Sequence, residues 1–295
     1  MELDEYQKLA IKAARFNIEK DEGRVISLLG LAGEIGELST EFKKQIRDGN
    51  SYKVFQNKVI EELGDILWYL ASISSVEGLS LESIAKANLQ KIESRTPQEN
   101  SEDGKSIQLL DDNYPPEEQL PRIFDVEFVE KVEAGGLTYI QTIVNGEEFG
   151  NPLRDNHYEE DGYRFHDIFH FSYAVSLGWS PVVRKFFKCK RTSNPMTDEV
   201  EDGGRALVID EAISALVFEY AKKHTYLEDI DTIDFSLLRT IKDLTSHLEV
   251  SVKSHCQWEQ AILLGFKVWR EIKEKRVGKV RCDLLKGEME IVDSL

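Results

Sequence analysis

Between Ser27 and Ser72 the chain carries two pairs of acids at the same spacing, Glu34 with Glu37 and Glu62 with Asp65. Each pair lies in a segment whose apolar residues recur at the helical period. Side chains three apart sit one turn apart on the same helix face, so each pair points one way, and Glu41 continues the first face. Asp48-Gly49-Asn50 breaks the pattern between them. The stretch therefore reads as two antiparallel helices with four carboxylates facing each other. Such a set repels itself unless a cation sits within it. Hard oxygen ligands suit Mg²⁺, with Mn²⁺ second, and the lack of His or Cys in the set argues against zinc. The same spacing also marks ordinary solvated faces. Two features favour the metal. The acids are flanked by Leu31, Ile35 and Leu38 on one helix and by Ile60, Leu63, Ile66 and Leu67 on the other. Glycines stand at 30, 33, 36 and 64. Each helix-interior glycine costs ~1 kcal/mol relative to alanine, which implies a need for close backbone approach.

Around this pair the periodicity predicts two further helices. One spans Leu3 to Glu19, with Asp21-Glu22-Gly23 as its end. The other spans Leu81 to Arg95, capped by Ser80. The central helices are expected over Val25–Arg47 and Tyr52–Val76. Short connections make the first 96 residues an antiparallel four-helix bundle. From Pro97 to Arg122, prolines and acids without a sustained period read as a linker. FDVEFVEKV and LTYIQTIVNGEEFG then alternate apolar and polar residues, and Gly135-Gly136 joins them into a hairpin. Helices follow over Tyr163–Leu177, Val200–His224, Phe235–Val250 and Trp258–Lys275, with GKVRCDLLKGEMEIV as a last short hairpin. The expected fold is mainly α: a four-helix bundle over 1–96, a linker over 97–122, and an α-rich second domain with small β-hairpins over 123–295.

GLAGEIGEL…EELGDILWYL resembles the MazG-type all-α nucleoside triphosphate pyrophosphohydrolases, whose motif is EExxE followed by ExxD. Relatives in that superfamily include dimeric dUTPases, dCTP pyrophosphatases and phosphoribosyl-ATP pyrophosphohydrolase. LDEYQKLA and ANLQKIESR are similar to the same family, and the resemblance covers about residues 1–96. It implies Glu34, Glu37, Glu62 and Asp65 as ligands of Mg²⁺. It further implies hydrolysis of a nucleoside triphosphate to the monophosphate and pyrophosphate, and assembly into dimers or tetramers. Glu41 or Glu61 is the candidate general base. Asn88, Lys91 and Arg95 match the family's phosphate-side positions and share one helix face, and Trp68 or Tyr69 is placed to stack on a base. The first acid of EExxE is Gly33 here, which leaves the base open. It also leaves room for a second reading, a nucleotide-binding sensor or partner-binding module without turnover.

The formal charge is −17 with a pI of about 4.9, so the net field repels phosphate and a nucleic-acid partner is not expected. Cys189, Cys256 and Cys282 are widely spaced and odd in number, which fits a reducing compartment. The acidic, helical N-terminus is unlike a signal peptide. No apolar run has the length of a membrane span. A cytoplasmic protein is expected. In the second domain, His166 and His170 lie one turn apart on a helix face with Asp167 beside them, and a later helix brings Glu201, Asp202, Asp210 and Glu211, an arrangement that leaves a second metal or nucleotide site open. The string HDxxH resembles that of HD-type phosphohydrolases, but those enzymes need another His well upstream, and His157 is only nine residues away. Hydrogen bonding within a helical core is the simpler role. The segment is similar to the C-terminal domain that accompanies some MazG-type proteins. The run Arg184, Lys185, Lys188, Lys190 and Arg191 either meets phosphates or forms a solvated, salt-bridged loop.

Overall fold

The computed structural model describes residues 1–14, 21–93, 109–133, 135–276 and 278–292. The chain divides into two compact units, Met1–Glu93 and Ser94–Leu295.

The first unit holds α1 (Leu3–Lys12), α2 (Asp21–Asp48), α3 (Phe55–Val76) and α4 (Leu81–Glu93). Asp21-Glu22-Gly23, expected to end the first helix, instead opens α2. Acids in a first turn complement the helix dipole, and Gly23 is buried where its carbonyl accepts the Ser27 hydroxyl. α2 and α3 run antiparallel, each step up one matched by a step down the other. Arg24 pairs with Glu77, Ser27 hydrogen-bonds Ser72 at 2.8 Å, and Phe42 meets Phe55 edge-on at the far end. The Ser27–Ser72 bond is buried, so it fixes the register of the two helices. α1 is stitched across the α3–α4 turn by two polar side chains. Asp4 accepts from the Ser80 hydroxyl and the Glu82 amide, and Gln7 bonds the Leu81 amide, the Leu79 carbonyl and Ser75. Among the described residues, the buried apolar core of this unit is Ala10, Ala71 and Leu81, with Tyr6 and Trp68 against them.

In the second unit the expected hairpins merge into one five-stranded antiparallel sheet. Its strands are β1 (Ile123–Val132), β2 (Thr138–Val144), β3 (Glu147–Leu153), β4 (Gly278–Asp283) and β5 (Glu288–Val292), in the order β3-β2-β1-β4-β5. The stretch expected as one strand, LTYIQTIVNGEEFG, is itself a hairpin. Asn145 and Gly146 both take positive φ, as a two-residue turn of this type requires. Pro152 is tolerated because β3 is an edge strand. Phe124, Val126 and Phe128 of β1 point into the core, while Asp125 and Glu127 pair outward with Lys279.

Among the described residues six helices accompany the sheet: α5 (Asp167–Leu177), α6 (Pro181–Phe187), α7 (Pro195–Val200), α8 (Gly204–Lys222), α9 (Phe235–Leu244) and α10 (His255–Lys275). The helices expected from Tyr163, over Val200–His224 and to Val250 are shorter. Tyr163–Phe165 and Glu249–Val252 are 3-10 turns, and the chain breaks at Gly203, where a Cβ would meet the Glu199 carbonyl oxygen at 1.9 Å. All of α5 except Ser176 is buried, and α10 crosses it at Gly265, whose missing side chain makes room for Ser172 and Phe169.

The linker expectation fails here, and of the two readings of the basic run the salt-bridged one holds, with its two arginines buried rather than solvated. The described part of the supposed linker, 109–122, packs into this unit, with Leu109 and Leu120 in the core. The basic run is no phosphate-facing loop at its ends, because Arg184 and Arg191 are buried and paired. Arg184 bonds Asp111 at 2.6 Å, and Arg191 bonds Asp202 and Glu249. Asp111 of the supposed linker is therefore a counter-ion of Arg184, at one end of the basic run. No helix among the described residues is long and apolar enough to cross a membrane.

Candidate metal centre

Glu34 on α2 faces Glu62 and Asp65 on α3, and one carboxylate oxygen from each lies within 4.8 Å of the other two. The antiparallel register produces this grouping, since it brings the middle of one helix against the middle of the other. Glu62 is buried and Glu34 half-buried. Burial, followed by Asp65, Glu37 and Glu62, pushes the Glu34 carboxyl above its usual range. Burial, followed by Glu37, Glu61 and Asp65, does the same to Glu62. Both carboxylates are thus held where their negative charge is disfavoured, which is the condition a bound cation relieves. Glu37 is exposed and stands outside the three-residue group, although its charge reaches both Glu34 and Glu62. The donor set is all carboxylate oxygen, which fits Mg²⁺ or Mn²⁺.

The other expected site residues divide. Glu41 is buried, accepts from Lys44 at 2.6 Å and from the Tyr52 hydroxyl, and those two bonds hold its carboxyl below the usual range. Glu61 is exposed and ion-paired to Lys58 at 2.6 Å. Asn88 and Lys91 lie exposed on α4, and Arg95 lies outside the described residues. Trp68 is committed to packing: its indole N–H donates to the Ala10 carbonyl at 2.9 Å and its ring rests on the small core. Tyr69 meets Trp68 edge-on at 4.9 Å and fills the space over Gly30. Gly30 is the close approach that the glycines implied. Gly33, Gly36 and Gly64 have nothing within 4 Å of the position a Cβ would take.

Sequence reasoning missed the Glu41–Lys44–Tyr52 cluster. Lys44 three residues after Glu41 was a visible signal for part of it, whereas Tyr52 comes from beyond the turn. In the second unit, His166, His170 and Glu211 form a further group with ligand atoms within 4.8 Å of one another.

Comparison with known proteins decides the family. A model of the MazG C-terminal domain matches residues 105–294. The chain belongs to that family. Ahead of this domain, the model of the MazG nucleotide pyrophosphohydrolase domain matches residues 26–99, the stretch that carries the acid cluster. The chain is also similar to the Gene 37 protein of Mycobacterium phage L5, 32% identical over 101 residues, which is 32% of this chain and 89% of that protein. No solved structure matches. The MazG domain supports a generic nucleoside triphosphate pyrophosphohydrolase-type activity, hydrolysis of an acid anhydride.

Proposed function

We propose that the MazG domain hydrolyses a nucleoside triphosphate to the monophosphate and pyrophosphate in the presence of Mg²⁺, removing an unwanted nucleotide from the pool. The observation that carries this reading is the convergence of Glu34, Glu62 and Asp65 from two helices, with two of the three carboxyls pushed up. These three would hold the ion, with Glu37 beside them. When bound, Mg²⁺ neutralises charge on the triphosphate and makes water a stronger nucleophile near neutral pH. Asn88 and Lys91, exposed on α4, would meet the phosphates, the role the family resemblance also implies for Arg95. Water adds to the α-phosphorus and the bond to the bridging oxygen breaks. Of the two candidates to take the proton, Glu61 is the more accessible, exposed beside Glu62 although ion-paired to Lys58. Glu41 is held charged by Lys44 and Tyr52, which lowers its proton affinity. With Trp68 tied to Ala10, Tyr69 is the aromatic left to contact a base.

The chain is proposed to act as a homo-oligomer, in a cytoplasmic setting. Its MazG domain exposes Ile46 by 83%, Ile60 by 70% and Leu29 by 68%, apolar surface that a second copy could cover. The test is a panel of NTPs and dNTPs with Mg²⁺ or Mn²⁺, reading pyrophosphate. Release by wild type and its loss in Glu62→Gln and Asp65→Asn are expected. A panel without turnover, or variants at the wild-type rate, would sink the proposal. One observation favours a sensor instead: Gly33 supplies no carboxylate where the motif has its first acid. Tight nucleotide binding by calorimetry without turnover would select that reading.

A further inference from the structure

The MazG C-terminal domain buries a histidine pair that the acid cluster does not use. His166 precedes α5 and His170 lies one turn into it, with ring centroids 5.9 Å apart. Both are more than nine-tenths buried. Each has its Nδ1 engaged by an oxygen acceptor: His166 with the Tyr163 carbonyl at 2.9 Å, His170 with Asp210 Oδ1 at 2.7 Å. Asp210 is itself fixed, accepting from the Ser180 hydroxyl at 2.6 Å and the Val182 amide at 3.2 Å. A proton held on Nδ1 in this way turns the Nε2 lone pair toward whatever lies on the other side. Histidines that ligate metals are oriented by this arrangement.

On that other side stands Glu211 from α8. His170 Nε2 is 3.3 Å from Glu211 Oε2 yet has no hydrogen-bond partner, so it is a buried nitrogen that the protein leaves unsatisfied. Two ligands about 2.1 Å from a tetrahedral zinc stand about 3.4 Å apart, so this pair already has the spacing of two ligands. The competing occupant is a second proton. Burial disfavours the imidazolium, but Asp210 and Glu211 outweigh it and hold the His170 pKa up, at about 10. At 3.3 Å the Nε2–Glu211 contact is an ion pair without a directed hydrogen bond, so a metal competes with this proton for the position.

We propose that His166 Nε2, His170 Nε2 and Glu211 bind a first-row transition dication of the zinc class. Two imidazoles and one carboxylate select this class over Mg²⁺, which prefers oxygen. Three protein ligands leave a coordination position for water or an anionic oxygen, the ligand count of a zinc site open to a reactant rather than a purely structural one. The site lies in a different unit from the Glu34–Glu62–Asp65 cluster and takes a different metal.

The probe is Zn²⁺, with Co²⁺ as its spectroscopic substitute, on the full chain after chelator treatment. Wild type should retain Zn²⁺ through dialysis and give visible Co²⁺ absorption without thiolate charge transfer, since the three cysteines are elsewhere. Glu211→Gln changes a half-exposed side chain and is the first variant. His166→Gln is the second, each checked for fold by circular dichroism. Both should weaken Zn²⁺ binding by more than about 100-fold, the upper range for losing an outer partner alone. Asp65→Asn should leave this binding unchanged. The proposal is overturned if wild type retains no zinc, if both His166→Gln and Glu211→Gln retain it, or if Asp65→Asn alone removes it.

Discussion

Replacing Arg184 with Met tests whether the second unit is held by its buried ion pairs. Arg184 is 1% exposed. It donates to Asp111 Oδ2 at 2.6 Å and to the carbonyls of Glu118 at 2.9 Å and Cys189 at 3.3 Å. Removing one partner of a buried pair costs about 3–5 kcal/mol. Asp111 keeps two other donors, Arg122 at 2.8 Å and the Leu120 amide at 2.8 Å, which favours the low end. Two carbonyls losing a donor add to it, so a loss of about 4 kcal/mol is expected. For a unit of this size that corresponds to a fall in Tm of roughly 8–16 °C. Trp179, Trp258 and Trp269 are buried in this unit, so urea unfolding followed by tryptophan fluorescence reports it.

The deficit should also depend on pH. Burial by itself would raise the Asp111 carboxyl, but Arg184 first, then the Leu120 amide and Arg122, hold it below its usual value. Its contribution in wild type is present above the unfolded value near ~3.9 and is lost as pH falls through the lowered folded value. In Arg184→Met, burial gains on the remaining donors and the carboxyl moves up. Protonation then relieves the buried charge, and the two stability curves converge as pH falls through the variant's raised carboxyl value. Asp111→Asn in the Arg184→Met background should restore part of the loss. A deficit under about 1 kcal/mol, one that stays flat with pH, or a double variant that merely adds the two single losses would refute the reasoning.

Three further outcomes follow from the MazG domain. Glu34 and Glu62 have raised folded values, so without a cation this unit loses stability as pH rises through them. Mg²⁺ or Mn²⁺ should flatten that dependence and raise Tm, by about 2.7 kcal/mol at 100 times the dissociation constant, and Glu62→Gln should abolish the metal effect in a calorimetric scan. Gly30→Ala places a Cβ 2.2 Å from the Tyr69 ring and should cost about 1–3 kcal/mol, whereas Gly33→Ala meets nothing within 4 Å and should gain about 1 kcal/mol; equal shifts in thermal melts would refute the contrast. Ile46→Glu with Ile60→Glu should lower the mass measured by light scattering if the exposed apolar helix faces join two copies, and an unchanged mass would count against assembly through them.

The sequence alone determined what depends on neighbours a few residues apart. The spacing of Glu34 with Glu37 and of Glu62 with Asp65 placed each pair on one helix face, and Gly135-Gly136 and the alternation beside it marked a hairpin. What depends on contacts far apart in the chain waited for the tertiary structure. The α2–α3 register put Glu34 with Glu62 and Asp65 and left Glu37 at the edge, because the buried Ser27–Ser72 bond, not helical period, sets which turns face each other. The C-terminal strand β4 pairs with β1 across most of the second unit, and periodicity carries no information about such a partner. Arg184 looked like part of a solvated run until Asp111, 73 residues earlier, was seen to neutralise it. Tertiary packing likewise decided that His166 and His170 face Glu211, since a helix face is legible in sequence and the element it packs against is not.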